Sequence, residues 1–238
     1  MIRRILVVAA AVTLTVVLAP QASAQQAFTI PPASCAGVRA ALPIAGDGNY
    51  LLNTGSHLVP VYCHDMAGTP REYVTLGATN FSQYTAGGAS PGTSVRTTFT
   101  RVRLNPATLT VDINDLTFAT SSGSLTLGGL VVTSMPYAVA MSCDSGPSGV
   151  GRADLSGTAF TLAASYQVGG FNASGTAAVS GDNRSVDLAG GGYCGWITSA
   201  PFIYNPVNPS GADFHLALAC APYTLVDLLL NRACVTLS

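Results

Sequence analysis

The sequence predicts a mainly β fold: antiparallel strands in a single disulfide-stabilised domain with one or two short helices. Three observations carry this. Apolar and polar residues alternate, with Leu109, Val111 and Ile113 facing one way and Thr108, Thr110 and Asp112 the other, as a half-buried strand requires. Val102 and Leu104 alternate in the same way with Arg101 and Arg103. Turn-forming clusters punctuate the chain, among them Gly87 to Gly92, Ser145 to Gly149 and Gly181-Asp182-Asn183, and many short strands so separated indicate an antiparallel architecture. Finally, the six cysteines are an even set in a chain that opens with an export signal, which favours disulfides over metal ligation.

The elements follow in order. Arg3 and Arg4 precede an apolar run from Ile5 to Ala19, then Pro20 and the small-residue ending Ala22-Ser23-Ala24. This is the pattern of a secretory signal peptide over residues 1–24, and the run is shorter than the roughly 20 residues a membrane span needs. No cysteine follows it to anchor a lipid. The expectation is a secreted, extracellular chain beginning near Gln25, with no membrane span after cleavage. A helix is expected over Ala36 to Leu42. Strands are expected at Val59 to Cys63, Glu72 to Leu76, Thr117 to Ala119, Leu125 to Leu127, Tyr137 to Met141, Ala159 to Tyr166, Ala177 to Ser180 and Val186 to Leu188. A second helix is expected over Thr224 to Arg232, with Thr224 as its N-cap. Pro201, Pro206, Pro209 and Pro222 mark a change of composition, so residues 200–238 read as a Pro-rich extension that carries the terminal helix, beyond a domain at 34–199.

Charge narrows the function classes. The chain has ten Arg, no Lys and one Glu, Glu72; charged residues make up 9% and the net charge is -1. Capture of nucleic acid or an anionic membrane needs a basic patch, which such a composition does not announce. A 48% apolar content with so little charge is that of a folded chain rather than a disordered one. Arg without Lys, among many Ala, Gly and Val, is the usage of a high-GC genome such as a bacterial one.

Several motifs recur in a known order. Ser34-Cys35 is followed by DGNYLL from Asp47, VPVYCHDM from Val59, PREYVTL from Pro70 and NFSQY from Asn80. FTRVRLNPATLTVDINDLTFAT, Pro136-Tyr137-Ala138 before Cys143, GRADLSGTAF and finally GGGYCGW, ending at Trp196, complete the set. This pattern resembles the GON domain, the C-terminal module of certain secreted ADAMTS metalloproteases that also occurs in bacterial secreted proteins. The combination of YCHDM, PREYVTL and GGYCG is its specific part, and the middle adds only order and spacing. The chain departs from the animal pattern in lacking the Cys-rich stretches after NFS and after GGYCG, so some of the family's disulfides are missing. A local likeness to the start of fibrinogen-like and fibrillar-collagen C-terminal domains ends near Met66.

Six cysteines allow 15 pairings, and spacing does not choose among them. The family likeness implies that Cys35 joins Cys63, tying the segment after Ser34 to the VYC strand. The remaining expectations are Cys143 with Cys194, and Cys220 with Cys234, the last clamping the terminal helix across a short loop.

The likeness to modules of zinc proteases raises the question of zinc, but the HExxH helix that would present two His and a Glu base has no counterpart. His57, His64 and His215 are isolated. Cys63-His64 and His64-Asp65 are adjacent pairs, and in a strand neighbours point to opposite faces, so His64 reads as a surface histidine. Ser90 is followed by Pro91, which lacks the N–H an oxyanion hole would use. Asp112 and Asp115, in DINDL, read first as solvated turn formers, with a calcium contact as the other reading. Asn80, Asn172 and Asn183 each begin an N-x-S sequon. Tyr193, Trp196, Phe202 and Tyr204 form either packing or a contact patch, and large aromatics are on average mostly buried.

The expected function is a secreted GON-domain protein acting as a non-catalytic interaction or structural module. It has no cofactor, folds as a monomer, and binds an extracellular or cell-envelope protein or glycan, not nucleic acid, with Tyr193 and Trp196 as the contact patch. The alternative is an accessory domain of an extracellular zinc metalloendopeptidase, labelled as one by family inheritance, or a hydrolase whose site is assembled from distant residues.

Overall fold

The computed structural model describes residues 30–85, 94–127, 129–200 and 215–237. The signal segment at 1–24, the cluster Gly87 to Gly92, Phe202 and Tyr204 lie outside these residues.

A first helix, α1 (Cys35–Ala41), is capped by Ser34, whose Oγ accepts from the Gly37 N–H at 3.0 Å, satisfying one of the orphan donors of the first turn. Pro43 sits two residues past its last residue and disfavours the helical region for Leu42. The helix is tied down from three sides. Val38 is buried, Cys35 is bonded to Cys63, and the Cys35 N–H donates to Glu72 Oε1 at 2.8 Å.

The strands follow as β1 (Gly48–Asn53), β2 (His57–His64), β3 (Arg71–Thr85), β4 (Val95–Asn105), β5 (Thr110–Asp112), β6 (Ala119–Ser122), β7 (Leu125–Leu127), β8 (Leu130–Val132), β9 (Ala140–Asp154), β10 (Phe160–Leu162), β11 (Tyr166–Val179), β12 (Ser185–Ser199) and β13 (His215–Cys220). A short helix α2 (Leu225–Leu229) and β14 (Val235–Thr236) end the described chain. All pairing is antiparallel in the order β10-β13-β5-β4-β3-β9-β12-β11, with β2 alongside β3, β1 and β14 on β2, β6 on β4, and β7-β8 as a separate hairpin. The fold is the mainly β single domain that the alternation predicts. Inward residues of β2, β3, β4, β5, β9, β10, β12 and β13, including Val59, Val74, Phe99, Val102, Val111, Met141, Phe160, Val186 and Leu216, form one core with Val38 of α1.

Several local expectations are corrected. The turn-like cluster Ser145 to Gly149 lies inside β9, not between strands. Gly149 pairs with Gly190 of β12 and Asp144 with Gly192, so the register breaks across the cluster, and a Cβ on Gly149 would collide with the carbonyl of Met141 of the same strand; glycine permits this close approach of β9 to itself at the irregularity. The strand expected from Tyr137 starts only at Ala140, after Ala138 takes a left-handed φ of 56°. The run Ala159 to Tyr166 breaks into β10 and the start of β11, and the strand expected at Thr117 starts at Ala119. Beyond residue 200, β13 is inserted between β10 and β5, and β14 pairs with β2 through Val235 and Leu58. The described part of 200–238 therefore shares the sheet of the preceding segment, because its alternating Leu216 and Leu218 complete the core.

The cysteines form three disulfides, Cys35–Cys63, Cys143–Cys194 and Cys220–Cys234. The first fixes α1 on β2, the second joins β9 to β12, and the third closes the loop carrying α2.

Candidate functional site

Alternation along β2, β3 and β4 sends Tyr62, His64, Tyr73, Thr75, Arg101 and Arg103 to the side opposite the core, and register brings them together. Tyr62 lies opposite Tyr73, His64 opposite Arg71, Tyr73 opposite Arg103 and Thr75 opposite Arg101. Phe118, just before β6, folds over this group, anchored where its carbonyl accepts from the Thr100 N–H at 3.0 Å. Its ring meets those of His64 and Tyr73 edge-on, each at 4.8 Å, and that of Tyr62 at 6.2 Å, the quadrupole-favoured geometry. The Arg101 guanidinium lies between two of these rings, 3.9 Å from the centre of Tyr62 and 4.8 Å from that of Phe118, a cation–π arrangement. Its Nε donates to Thr75 Oγ1 at 3.0 Å.

Carboxylates frame the cluster. Asp115, its side chain only 6% exposed, accepts from the Tyr73 hydroxyl at 3.2 Å and lies 3.9 Å from both Arg71 and Arg103. Asp112 is 3.6 Å from Arg103. The reading of Asp115 as a solvated turn former is thereby corrected: the turn is real, since Asp115 Oδ1 accepts from the Thr117 N–H at 2.9 Å, but its other oxygen faces arginines and a phenol. Burial pushes the Tyr73 hydroxyl above its ordinary range, so it is a donor at neutral pH.

His64 does not pair with its neighbour Asp65, as expected of adjacent residues at a strand end. Asp65 takes a left-handed φ of 55° and turns its carboxylate to the Thr69 N–H at 2.8 Å. The partner of His64 is Asp47, whose Oδ2 lies 2.7 Å from Nδ1, while Asp47 Oδ1 accepts from the Met66 N–H at 2.8 Å. That backbone hydrogen bond, ahead of the imidazole, holds the Asp47 carboxyl below the usual carboxylate range. The dyad presents an imidazole edge to a surface of aromatic rings, with no hydroxyl or thiol nucleophile among its described hydrogen-bond partners. Among the described residues no group of three or more His, Cys, Asp or Glu converges as a metal site, and no helix is long and apolar enough to cross a membrane.

The residues expected as a contact patch separate. Trp196, between Gly169 of β11 and Met141 of β9, is half-buried, packs on the core and leaves its indole Nε1 buried without a hydrogen-bond partner. Tyr193 is 61% exposed, and its ring partner is Phe171 of β11, 69% exposed and 6.4 Å away. The two are three positions apart, and the β12 register with β9 shifts between Gly190 and Gly195, beside Tyr193. A further apolar surface is α2, whose Leu225, Val226, Leu228 and Leu229 are all exposed.

The sequon at Asn80 has a structural role. Asn80 is buried; its Oδ1 accepts from the Tyr137 hydroxyl at 2.8 Å and the Asp154 N–H at 2.6 Å, and its Nδ2 donates to the carbonyls of Ala78 and Asp154. Asn172 and Asn183 are exposed, both with left-handed φ.

The motifs that position this site, DGNY with Asp47, YCHD with His64 and PREY with Tyr73, thus converge on one surface. A family model, the GON domain, matches residues 32–90 and 88–202. No curated protein and no solved structure shows significant similarity to the chain. With most of its length matched, and with β1, β2, β3, β4, β9 and β12 all inside the match, the chain belongs to the GON domain family.

Proposed function

We propose that this protein is a secreted, disulfide-stabilised GON module that acts without catalysis, by binding an extracellular or cell-envelope partner. The observation that carries this is Arg101 between Tyr62 and Phe118: a cation and two rings held on a half-exposed sheet face. Fixing such side chains in place before a partner arrives lowers the entropy lost on binding, and Arg and aromatic residues dominate the energetics of known contacts. Three disulfides fit an oxidising compartment. The exposed Phe171–Tyr193 pair offers a second, smaller contact.

A hydrolase reading draws on the Asp47–His64 dyad, which has the geometry of an imidazole and its orienting carboxylate. No hydroxyl or thiol nucleophile is among its described hydrogen-bond partners.

The two are separated by immobilising the mature protein, probing envelope extracts and a glycan array, and assaying peptide and glycoside panels in parallel. Saturable capture reduced by Arg101→Gln, without turnover, is the expected result. Turnover abolished by His64→Gln would replace this reading with the hydrolase.

A further inference from the structure

Five of the ten arginines project from one face of the sheet: Arg71 on β3, Arg96, Arg101 and Arg103 on β4, and Arg152 on β9. Three are matched by carboxylates. Arg71 and Arg103 share Asp115, Arg103 also faces Asp112, and Arg152 lies 2.8 Å from both Asp154 and Asp187. Arg96 and Arg101 differ: among the described residues neither has a carboxylate within ion-pair distance. Each instead lies on a ring, Arg96 at 3.6 Å from the centre of Phe81 and Arg101 at 3.9 Å from that of Tyr62, and each donates to one neutral side chain, Gln83 at 3.4 Å and Thr75 at 3.0 Å.

The two arginines are an odd number of positions apart, which in a regular strand would send them to opposite faces. The burial pattern of β4 shows why they do not. Val95, Thr97 and Phe99 point inward, then Val102 and Leu104, so Thr100 and Arg101 are consecutive outward residues. The pairing with β3 is irregular at the same place, jumping from Thr75 to Asn80 while β4 advances from Arg101 to Phe99. Between the two cations the face carries Thr98 and Thr100, both exposed, whose hydroxyls donate to the Thr120 and Phe118 carbonyls and keep their lone pairs for a ligand donor, and beside Arg96 lies half-exposed Gln83.

We infer that this face binds an anionic polysaccharide, whose carboxylate or sulfate groups are received by Arg96 and Arg101 and whose hydroxyls meet the threonines between them and Gln83 beside Arg96. The inference rests on the interaction-module reading above. The stacked rings fix each guanidinium plane and leave N–H groups for bidentate binding of a planar or tetrahedral anion. At a strand rise of about 3.3 Å per residue the two Cα atoms lie at most about 17 Å apart, so a polymer with spaced charges and neutral hydrogen-bonding groups between them is the complementary ligand. A nucleic acid, with charge at every phosphate, would need several more cations than these two.

The test uses the mature, disulfide-bonded protein in affinity electrophoresis through gels containing dextran sulfate, polygalacturonate or unmodified dextran, with an oligothymidylate competitor. Salt-sensitive retardation by dextran sulfate or polygalacturonate is expected; the gel that retards identifies sulfate or carboxylate as the group recognised. Arg96→Gln and Arg101→Gln should each weaken binding about tenfold, the loss of one charge-assisted contact. Thr98→Glu, an exposed change that leaves both stacks intact, should do the same in a protein of unchanged thermal midpoint. Equal retardation by neutral dextran, displacement by oligothymidylate at equal charge, no retardation at all, or binding indifferent to Thr98→Glu would overturn the inference. In those cases capture of another envelope partner leaves the module reading standing, whereas turnover lost with a single substitution removes it.

Discussion

Asp47 and His64 are 17 residues apart and 2.7 Å from one another, with the second Asp47 oxygen fixed by the Met66 N–H. The Asp47 carboxyl therefore sits below its ordinary value. A depressed carboxyl binds its proton more weakly in the folded than in the unfolded chain, so its contribution is complete above the unfolded value near about pH 3.9 and is lost as pH falls through the lower folded value. In Asp47→Asn the thermal midpoint between about pH 2 and 4 should fall less steeply with acid than in the parent. Parallel acid limbs by calorimetry would remove Asp47 from the acid response.

Asn80 binds Tyr137, Ala78 and Asp154 at the centre of the sheet. Asn80→Ala strands a buried phenol and three backbone groups, each unsatisfied group costing about 1 to 3 kcal/mol, so a loss on the order of 3 kcal/mol or more is expected in urea unfolding. A loss below about 1 kcal/mol would mean that water replaces the amide.

The three disulfides close loops of 14, 28 and 51 residues in sequence separation. Chain entropy gives stabilisation rising from about 3 kcal/mol for Cys220–Cys234 to about 4 kcal/mol for Cys143–Cys194. Paired Cys→Ser replacements measured by urea unfolding should follow that order. An equal or reversed order would show that residual structure in the unfolded chain dominates.

Trp196 and Tyr193 should respond oppositely to truncation. Trp196→Ala removes a ring packed on the core and should destabilise by about 3 kcal/mol, whereas exposed Tyr193→Ala should stay within about 0.5 kcal/mol. If Tyr193 and Phe171 form a contact, Tyr193→Ala lowers capture of the partner at unchanged stability. Thermal midpoints and binding, read together on both variants, decide this.

In α2 the cap matters more than the side chains after it. Thr224 Oγ1 accepts from the Asp227 N–H at 3.2 Å, and Asp227 Oδ2 in turn accepts from the Thr224 N–H at 2.9 Å. Thr224→Ala should cost the loop about 1 kcal/mol, visible as faster amide exchange. Leu225→Ser and Leu229→Ser, both at exposed positions, should leave the midpoint within about 0.5 kcal/mol and lower binding of an apolar dye. A large loss of stability would show that a segment outside the described residues covers the helix.

Short-range physics was legible in the chain. Thr224 caps its helix as expected because a cap is decided by groups two or three residues away, and the alternation of Val102 and Leu104 with Arg101 and Arg103 survives in β4. The β class and the order of the family motifs could be read for the same reason. The site could not. His64 has Asp65 as its neighbour in sequence but is held by Asp47; Asn80 begins a sequon and is a buried hub; Ser145 to Gly149 has turn composition and falls within β9.

Residues alone fixed which positions alternate and where helices begin, since those depend on contacts within a turn or two. The tertiary structure decided which strands lie side by side, and at what register. A one-residue slip at Thr100 and Arg101 turns the second arginine to the same face as Arg96. Such a slip is stabilised by burial of Phe99 and Val102 against partners far away in sequence, so its cause is spread over the whole core and is written in no local stretch of residues.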